Sequence, residues 1–588
     1  MYKQSKWSLT ELVADHKSTD FTKQISALQE KVQRFEKIKG SLKSDIEPQN
    51  FFSIIKNIEE ISEDANRLTG YASLLYAANT QSDEATSLLT KMTKLSSEIE
   101  NKMIFFDLWW KRQIDDANAT RLMQDAGNLR EYLRHKRLLA KHSLSEPEEK
   151  IINTLDVTGP TALVKLYDKI TNAFEYIITI NGKKRKLSRE ELIVFVHSTN
   201  AKTREMAYKT LLTRFAENKG VLGEIYQNLV LNWKDEGIEI RKYSSPISIR
   251  NIANDVDDQT VQSLLDVCKK NSNVFYRFFS YKAKKLGLKK LRRYDLYAPA
   301  TKKLKEKNYS YQKAVTLVLE SLSKFSPQLA EYAKSVFVQN HIDSEIRPGK
   351  RDGAFCSTIS PKITPYVLIN YTGKTKDVFT LAHELGHAIH SKAASKQSIL
   401  VSEAPLPLAE TASTFSELLL YDNISDQMSD DEKKIILSEK IDDLYATIMR
   451  QAFFTIFEID AHKQIADGTT VEEISKTYFV NLKTQFANSI ELSKDFAIEW
   501  SCIPHFFHTP FYCYAYSFGN LLSLSLYQRY KKEGGSFEKT YVEILASGGS
   551  KKPEDLLRER GIDISSASFW QDGFDYIKSQ VNQIISLN

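Results

Sequence analysis

"TLAHELGHAIHSKAA", residues 380–394, sets three of the chain's eleven histidines within eight positions. Two of them, His383 and His387, are four residues apart, and Glu384 follows the first. On an α-helix, residues four apart project from one face a turn apart, so both imidazoles reach a single ion. Neutral imidazole binds zinc well, and zinc lowers the pKa of a bound water to about 7. A carboxylate beside that face, Glu384, then accepts the water's proton as it attacks a carbonyl. The stretch predicts a zinc-binding helix. His390, three after His387, shares the face and is read as a packing or hydrogen-bonding residue.

A catalytic zinc takes three protein ligands and keeps one position open. The third is sought in "PLPLAETASTFSELLLY" (405–421), where Pro405 and Pro407 suit a helix start. Glu410, Ser413 and Glu417 stand at i, i+3 and i+7 on one face, and Glu410 is the expected ligand. Glu403 is its rival, but it sits in a proline-flanked turn where its aim is poorly fixed. Glu417 is placed to hydrogen-bond a ligand histidine from behind. A solvated or helix-pairing glutamate is the other reading of that residue.

Outward from the motif, composition favours helix. The 588 residues are 42% apolar, with only 21 glycines and 14 prolines, which points to long helices and few turns. The net charge of +6 is spread over 81 basic and 75 acidic residues, a weak bias that calls for no nucleic-acid partner. The densest basic run, "KKLGLKKLRR" (284–293), reads as a solvated helix face or turn, with an anion patch as the alternative. Four scattered cysteines imply a reducing compartment without structural disulfides. The N-terminus shows no secretion signal and no run of eighteen apolar residues occurs, so a cytoplasmic protein without a membrane span is expected.

Along the chain, Phe21, Ile25, Leu28, Val32, Phe35, Ile38 and Leu42 recur at helical intervals and predict one buried face. Helical patterns continue to about 140. "FEYIITI" (174–180) alternates and meets Asn181-Gly182, a hairpin signal. Ser188 and Glu191 then form a capping-box pattern that starts a new helix. These signals divide an N-terminal helical lobe ending in a hairpin, 1–190, from a catalytic domain, 191–588. A second island of strand character spans 345–371, punctuated by Gly349 and Gly353. Its "YVLINY" (366–371) is expected to offer an unpaired edge to which an extended peptide adds by backbone hydrogen bonds. Gly353 and Ala354 would let that peptide come close. An ordinary strand in a small sheet is the simpler alternative. From 402 the chain reads as helix, apart from loops near 504–510 and 547–552.

"TLAHELGHAIH" followed by "AETASTFSE" resembles the oligoendopeptidase F branch of the thimet oligopeptidase-like zinc metallopeptidases. The shared pattern is H-E-x-x-H, then E-x-x-S-x-x-x-E on the next helix. "DLYAP" (295–299), "GKRDGAFC" (349–356), "IPHFFHTPFYCYAYSFG" (503–519) and "ASGGSKKPEDLLRERGIDISSASFW" (546–570) agree, so the resemblance runs from about 170 to the C-terminus. Asp352 stands where the family leads one to expect glycine.

The resemblance implies a mainly α, two-lobed, zincin-type helical peptidase, with a small β-sheet beside the active-site helix. Its deep cleft would admit short peptides and exclude folded proteins. One Zn2+ per chain would be held by His383, His387 and Glu410, with Glu384 as general base. A C-terminal histidine and tyrosines would close over the substrate and stabilise the tetrahedral intermediate. His505, His508, Tyr514 and Tyr516 are the candidates for that role, with Tyr512 in substrate binding. An imidazole or phenol donor aimed at the oxyanion complements zinc, although Tyr512, Tyr514 and Tyr516 read equally well as a packed ladder. The implied function is hydrolysis of internal bonds in oligopeptides. One alternative is a related helical zinc carboxypeptidase, which needs a cation for the substrate carboxylate. The other, a non-catalytic peptide-binding protein, is disfavoured by the intact Glu384 and ligand set.

Overall fold

Helices carry most of the chain in the computed structural model, which describes residues 2–180, 182–299 and 307–587. The first three long ones are α1 (Thr19–Glu36), α2 (Pro48–Ala78) and α3 (Asp83–Leu108). Ser18 caps α1 by accepting the Phe21 amide, and Phe21, Ile25, Leu28, Val32 and Phe35 are buried along one face. Ile38 and Leu42 lie half-buried against the same core. The stripe read from the sequence is therefore one side of a helical core, whose burial is the main source of stability for such a helix.

The expected hairpin forms from β1 (Tyr176–Ile180) and β2 (Lys183–Leu187), antiparallel with Tyr176 opposite Leu187. Asn181 of its turn lies outside the described residues. Ser188 and Glu191 make the capping box of the following short helix. Further elements used below are α4 (Pro246–Ala253), β3 (Ile342–Asp343), β4 (Phe355–Ser357), β5 (Tyr366–Leu368), α5 (Thr375–Ala393), α6 (Thr411–Ser425), α7 (Arg450–Ala466) and α8 (Tyr514–Glu533).

The small sheet corrects one expectation. Strand order is β3-β5-β4, with β5 parallel to β3 and antiparallel to β4. The "YVL" strand is thus the middle one, buried along its whole length, and offers no edge. Continuous apolar character marks a strand covered on all sides rather than an edge. The outer strands are β3 and β4, the latter at the end of the Gly349–Gly353 loop. Buried Lys350 fixes this loop by donating from Nζ to the carbonyls of Asp343 (3.0 Å), Glu345 (2.8 Å) and Ile369 (2.7 Å), while pairing with the Asp343 carboxylate at 2.9 Å.

The chain gathers into two compact units, each assembled from three separate segments. One comprises Met1–Ala140, Lys305–Gln427 and Leu526–Ile562, and holds the three-stranded sheet, α5 and α6. The other comprises Lys141–Leu304, Met428–Ser525 and Asp563–Asn588, and holds the hairpin, α4 and α7. Among the described residues no helix is long and apolar enough to cross a membrane, and all four cysteines are free thiols.

Candidate active site

In the first unit α5 and α6 cross unusually closely, and Gly386 is the reason. A Cβ at that position would stand 2.5 Å from both the Ala412 carbonyl oxygen and the Ser413 Cα. Only glycine lets the two backbones pass. The crossing brings the residue just before α6, Glu410, over the face of α5 that carries His383 and His387.

Three donor atoms meet there. His383 Nε2 lies 3.3 Å from His387 Nε2, Glu410 Oε2 lies 3.4 Å from His383 Nε2, and 3.6 Å separates Glu410 Oε2 from His387 Nε2. A tetrahedral site with metal–ligand bonds of about 2.0–2.1 Å has edges of about 3.3–3.4 Å. The three atoms therefore outline one face of such a tetrahedron, and the donor set of two imidazoles and a carboxylate is the chemistry zinc selects. Among the described residues this is the one cluster of its kind. Glu403, the rival ligand, is exposed in the preceding loop and takes no part in it.

Supporting contacts aim His383 and Glu410. Glu417, two turns along α6, accepts a bond from His383 Nδ1 at 2.6 Å. That contact fixes a proton on Nδ1 and turns Nε2 to the site, where a metal would take the place of the second proton. Ser413 donates to Glu410 Oε2 at 2.8 Å. The face of Glu410, Ser413 and Glu417 is thus occupied in full. His383 is raised to about 9: burial opposes its charge, but Glu417, then Glu410 and Glu384, outweigh it. Burial holds His387 below the ordinary imidazole range. His390 is buried and outside the cluster, and burial together with His387 brings it down to about 4, so it stays neutral.

Glu384 is buried beside the triad. Desolvation pushes it up to about 7, with His383 opposing and Glu410 and Glu417 adding to the rise. Its environment extends to the sheet: α5 packs on β4, and the thiol of half-buried Cys356 on that strand is pushed up by desolvation and by the charge of Glu384. Gly353, just before β4, has φ +78 and open space where a Cβ would be. Its carbonyl and that of Arg351 accept from Asn370 Nδ2, each at 3.0 Å, and Ala354 is half-buried next to it.

The second unit holds the histidine–tyrosine stretch and sorts its members. α8 begins at Tyr514, so Tyr512 and Tyr516 share a side while Tyr514 faces inward. Tyr514 is fully buried, and its hydroxyl accepts from Asn254 Nδ2 at 2.8 Å. Half-buried Tyr512 and Tyr516 meet edge to face, with centroids 5.3 Å apart. His505 Nε2 lies 3.3 Å from the Tyr516 hydroxyl, and the His505 ring stacks beside Tyr512. Burial, then the nearby His508 and Arg450, keep His505 below the ordinary range, so it is neutral at pH 7. His508 is exposed and turned to Asp168, 2.8 Å from its Nε2.

Sequence reasoning missed what holds this stretch. Phe511 has φ +56, a left-handed conformation that costs energy in a bulky residue. Glu458 of α7 accepts the Phe511 amide at 2.8 Å, Arg250 of α4 donates to the Pro510 carbonyl at 3.1 Å, and Asn254 follows at Tyr514. Glu458 is fully buried and pushed up to about 8 by desolvation. A carboxylate directly after the apolar run "AFFTIF" (452–457) is the signal that would have found it.

Comparison with known proteins agrees with this geometry. The chain is similar to an oligoendopeptidase F homolog of Borreliella burgdorferi, 27% identical and covering 98% of this chain and 97% of that one. It is similar also to oligopeptidase PepF of Bacillus subtilis, 24% identical over 95% and 84% of the two chains. Among solved structures, one from Chlamydophila abortus shares the fold with a TM-score of 0.89 at 25% identity, covering 100% of this chain and 99% of that one. The oligoendopeptidase-F of Enterococcus faecium matches with a TM-score of 0.71 at 21% identity, over 97% and 98%. The family described as Oligopeptidase F matches residues 112–176. Residues 194–576, well over half the chain and including every donor of the cluster, match Peptidase family M3, and the chain belongs to that family of peptidases.

Proposed function

We propose that this metallopeptidase is a zinc-dependent endopeptidase that cuts internal bonds of short peptides. The observation that carries the reading is the triangle of His383 Nε2, His387 Nε2 and Glu410 Oε2, with edges of 3.3–3.6 Å, beside a buried Glu384. Those three residues would hold one Zn2+ per chain. When bound, zinc polarises the scissile carbonyl and makes water acidic enough to be deprotonated near neutral pH.

The chain's own residues do the rest. Glu384 accepts a proton from the attacking water as the C–O bond forms, then delivers it to the departing amine nitrogen as the C–N bond breaks. Glu417 holds the His383 ring and its tautomer. We assign to His505 and Tyr516 the donation of hydrogen bonds to the developing oxyanion, with Tyr512 beside them in substrate binding. His508 and Tyr514 have other partners, Asp168 and Asn254, and are given positional roles. An extended peptide adds to the edge of β4 by backbone hydrogen bonds, with Gly353 and Ala354 leaving room.

The proposal includes a cytoplasmic location, in keeping with four free thiols. It also includes the exclusion of folded proteins by a deep cleft.

The test is zinc-dependent digestion of a peptide mixture of graded length together with a folded protein, with every cut mapped by mass spectrometry. Internal cuts in short peptides alone are expected. Stepwise loss of C-terminal residues would replace the endopeptidase reading with a carboxypeptidase. No cleavage at any zinc level would leave a peptide-binding protein.

A further inference from the structure

The second unit neutralises its most buried cations with carboxylates. Arg204 pairs with Asp295 at 2.6 Å, Arg293 with Glu499 at 2.5 Å, and Lys282 with Asp442 at 2.6 Å. This is the usual rule, because an uncompensated charge away from water is costly. Arg450 departs from it. It is the first residue of α7, directly after a π-helical turn, Tyr445–Met449, of the kind that often marks functional sites. Nη1 donates to the Tyr297 hydroxyl at 2.9 Å, and the guanidinium lies over the rings of Tyr297 and Phe454, 5.7 Å from each centroid. Nε is buried without a hydrogen-bond partner, and no carboxylate among the described residues pairs with the group. The residue is half-buried, so solvent reaches part of it.

Its position matters. Phe454, under the guanidinium, packs edge-on against Phe506, ring centroids 5.4 Å apart, and Phe506 follows His505 in the chain. The charge of Arg450 is felt at the His505 ring. An arginine without a carboxylate partner, near two aromatic rings and close enough to His505 for its charge to act there, has the chemistry of a carboxylate clamp. Guanidinium binds carboxylate through two parallel N–H donors, and a pre-positioned fork loses little freedom in doing so.

We propose that Arg450 forms a carboxylate-binding subsite for the peptide, taking either the C-terminal carboxylate or the side chain of an aspartate or glutamate. The proposal rests on the oligopeptidase reading above and deepens it by naming a substrate feature. It also supplies the cation that a C-terminus-directed enzyme needs and that the sequence did not single out.

The test uses one peptide in four forms: free acid or amide at the C-terminus, crossed with glutamate or glutamine at one internal position. Values of kcat/KM for each are compared in the wild type, Arg450→Gln and Arg450→Lys. The wild type is expected to prefer one carboxylate-bearing form by at least tenfold. Arg450→Gln should collapse that ratio toward one, and Arg450→Lys should keep part of it. Loss of the acid–amide ratio assigns the C-terminus, and loss of the glutamate–glutamine ratio assigns the side chain. No preference in the wild type, or a parallel fall on all four peptides in Arg450→Gln, overturns the subsite and leaves Arg450 a packing residue. If no peptide is cleaved, the oligopeptidase reading has failed. Fluorescence anisotropy of the same peptides on wild type and Arg450→Gln then decides the subsite by binding, with Arg450-independent affinity overturning it.

Discussion

The metal centre and the His505–Tyr516 cluster serve one proposed reaction but are built on opposite plans. At the metal centre every donor sits on or beside one of two helices that touch through Gly386, and His383 and Glu410 are each aimed by a single short contact. At the cluster His505 and Tyr516 sit on helical turns either side of an irregular stretch with a left-handed Phe511, pinned at successive points by Arg250, Glu458 and Asn254. Regular helices give precision through local spacing. The stretch obtains its shape from distant residues, and so depends on them.

The comparison breaks first at the base. Glu384→Gln should lower kcat by about 10²–10⁴-fold, the range for a general base, while zinc content stays at one per chain by elemental analysis. Ordinary turnover in that variant would remove Glu384 from the mechanism. Because desolvation holds Glu384 near 7 and a bound cation pulls a carboxylate down, kcat/KM should fall with acid on a limb at or below pH 7. On the cluster side, Tyr516→Phe should cost about 10²–10³-fold in kcat with little change in KM, as expected for an oxyanion donor. Equal losses in Tyr514→Phe, whose hydroxyl is committed to Asn254, would show that packing rather than donation is being measured.

Smaller effects sharpen the contrast between the two plans. Glu417→Ala frees the His383 ring and should weaken zinc affinity about 10–100-fold in a competitive chelator titration. The smallest expected effect belongs to Glu458. Its folded-state pKa, about 8, lies above the ordinary carboxyl value, so the folded protein holds the proton more tightly than the unfolded chain. The stability this contributes is complete below pH about 4.5 and is lost as pH rises toward 8. Glu458→Gln keeps the acceptor for the Phe511 amide and removes that loss. Its thermal midpoint should gain on the wild type between pH 5.5 and 8.5, by about 1 °C for each kcal/mol recovered. An unchanged difference would mean that Glu458 does not titrate there.

These plans also explain what was legible in the sequence. His383, Glu384, His387, Glu410 and Glu417 were readable because helical periodicity alone places them on facing sides. The Phe21–Phe35 stripe and the Ser188 capping box were readable for the same local reason. The middle position of β5 was not, since strand partners far along the chain decide which strand is the edge. Nor was the sorting of Tyr512, Tyr514 and Tyr516: an alternating ladder and a helix start look alike until α8 is seen to begin at 514. Arg250, Asn254 and Glu458 act from about 50 to 260 residues away, and no spacing rule reaches them.

The central claim is that the His383–His387–Glu410 triangle holds the metal on which hydrolysis depends. Removing metal with a chelator and titrating Zn2+ back, with bound metal and peptide turnover recorded together, tests it most directly. The account predicts that turnover returns linearly and saturates at one zinc per chain in the wild type. In a protein with Glu410→Ala, tight zinc binding and turnover should be lost together. Full turnover in the stripped protein, or one tightly bound zinc persisting after Glu410→Ala with activity intact, would contradict it.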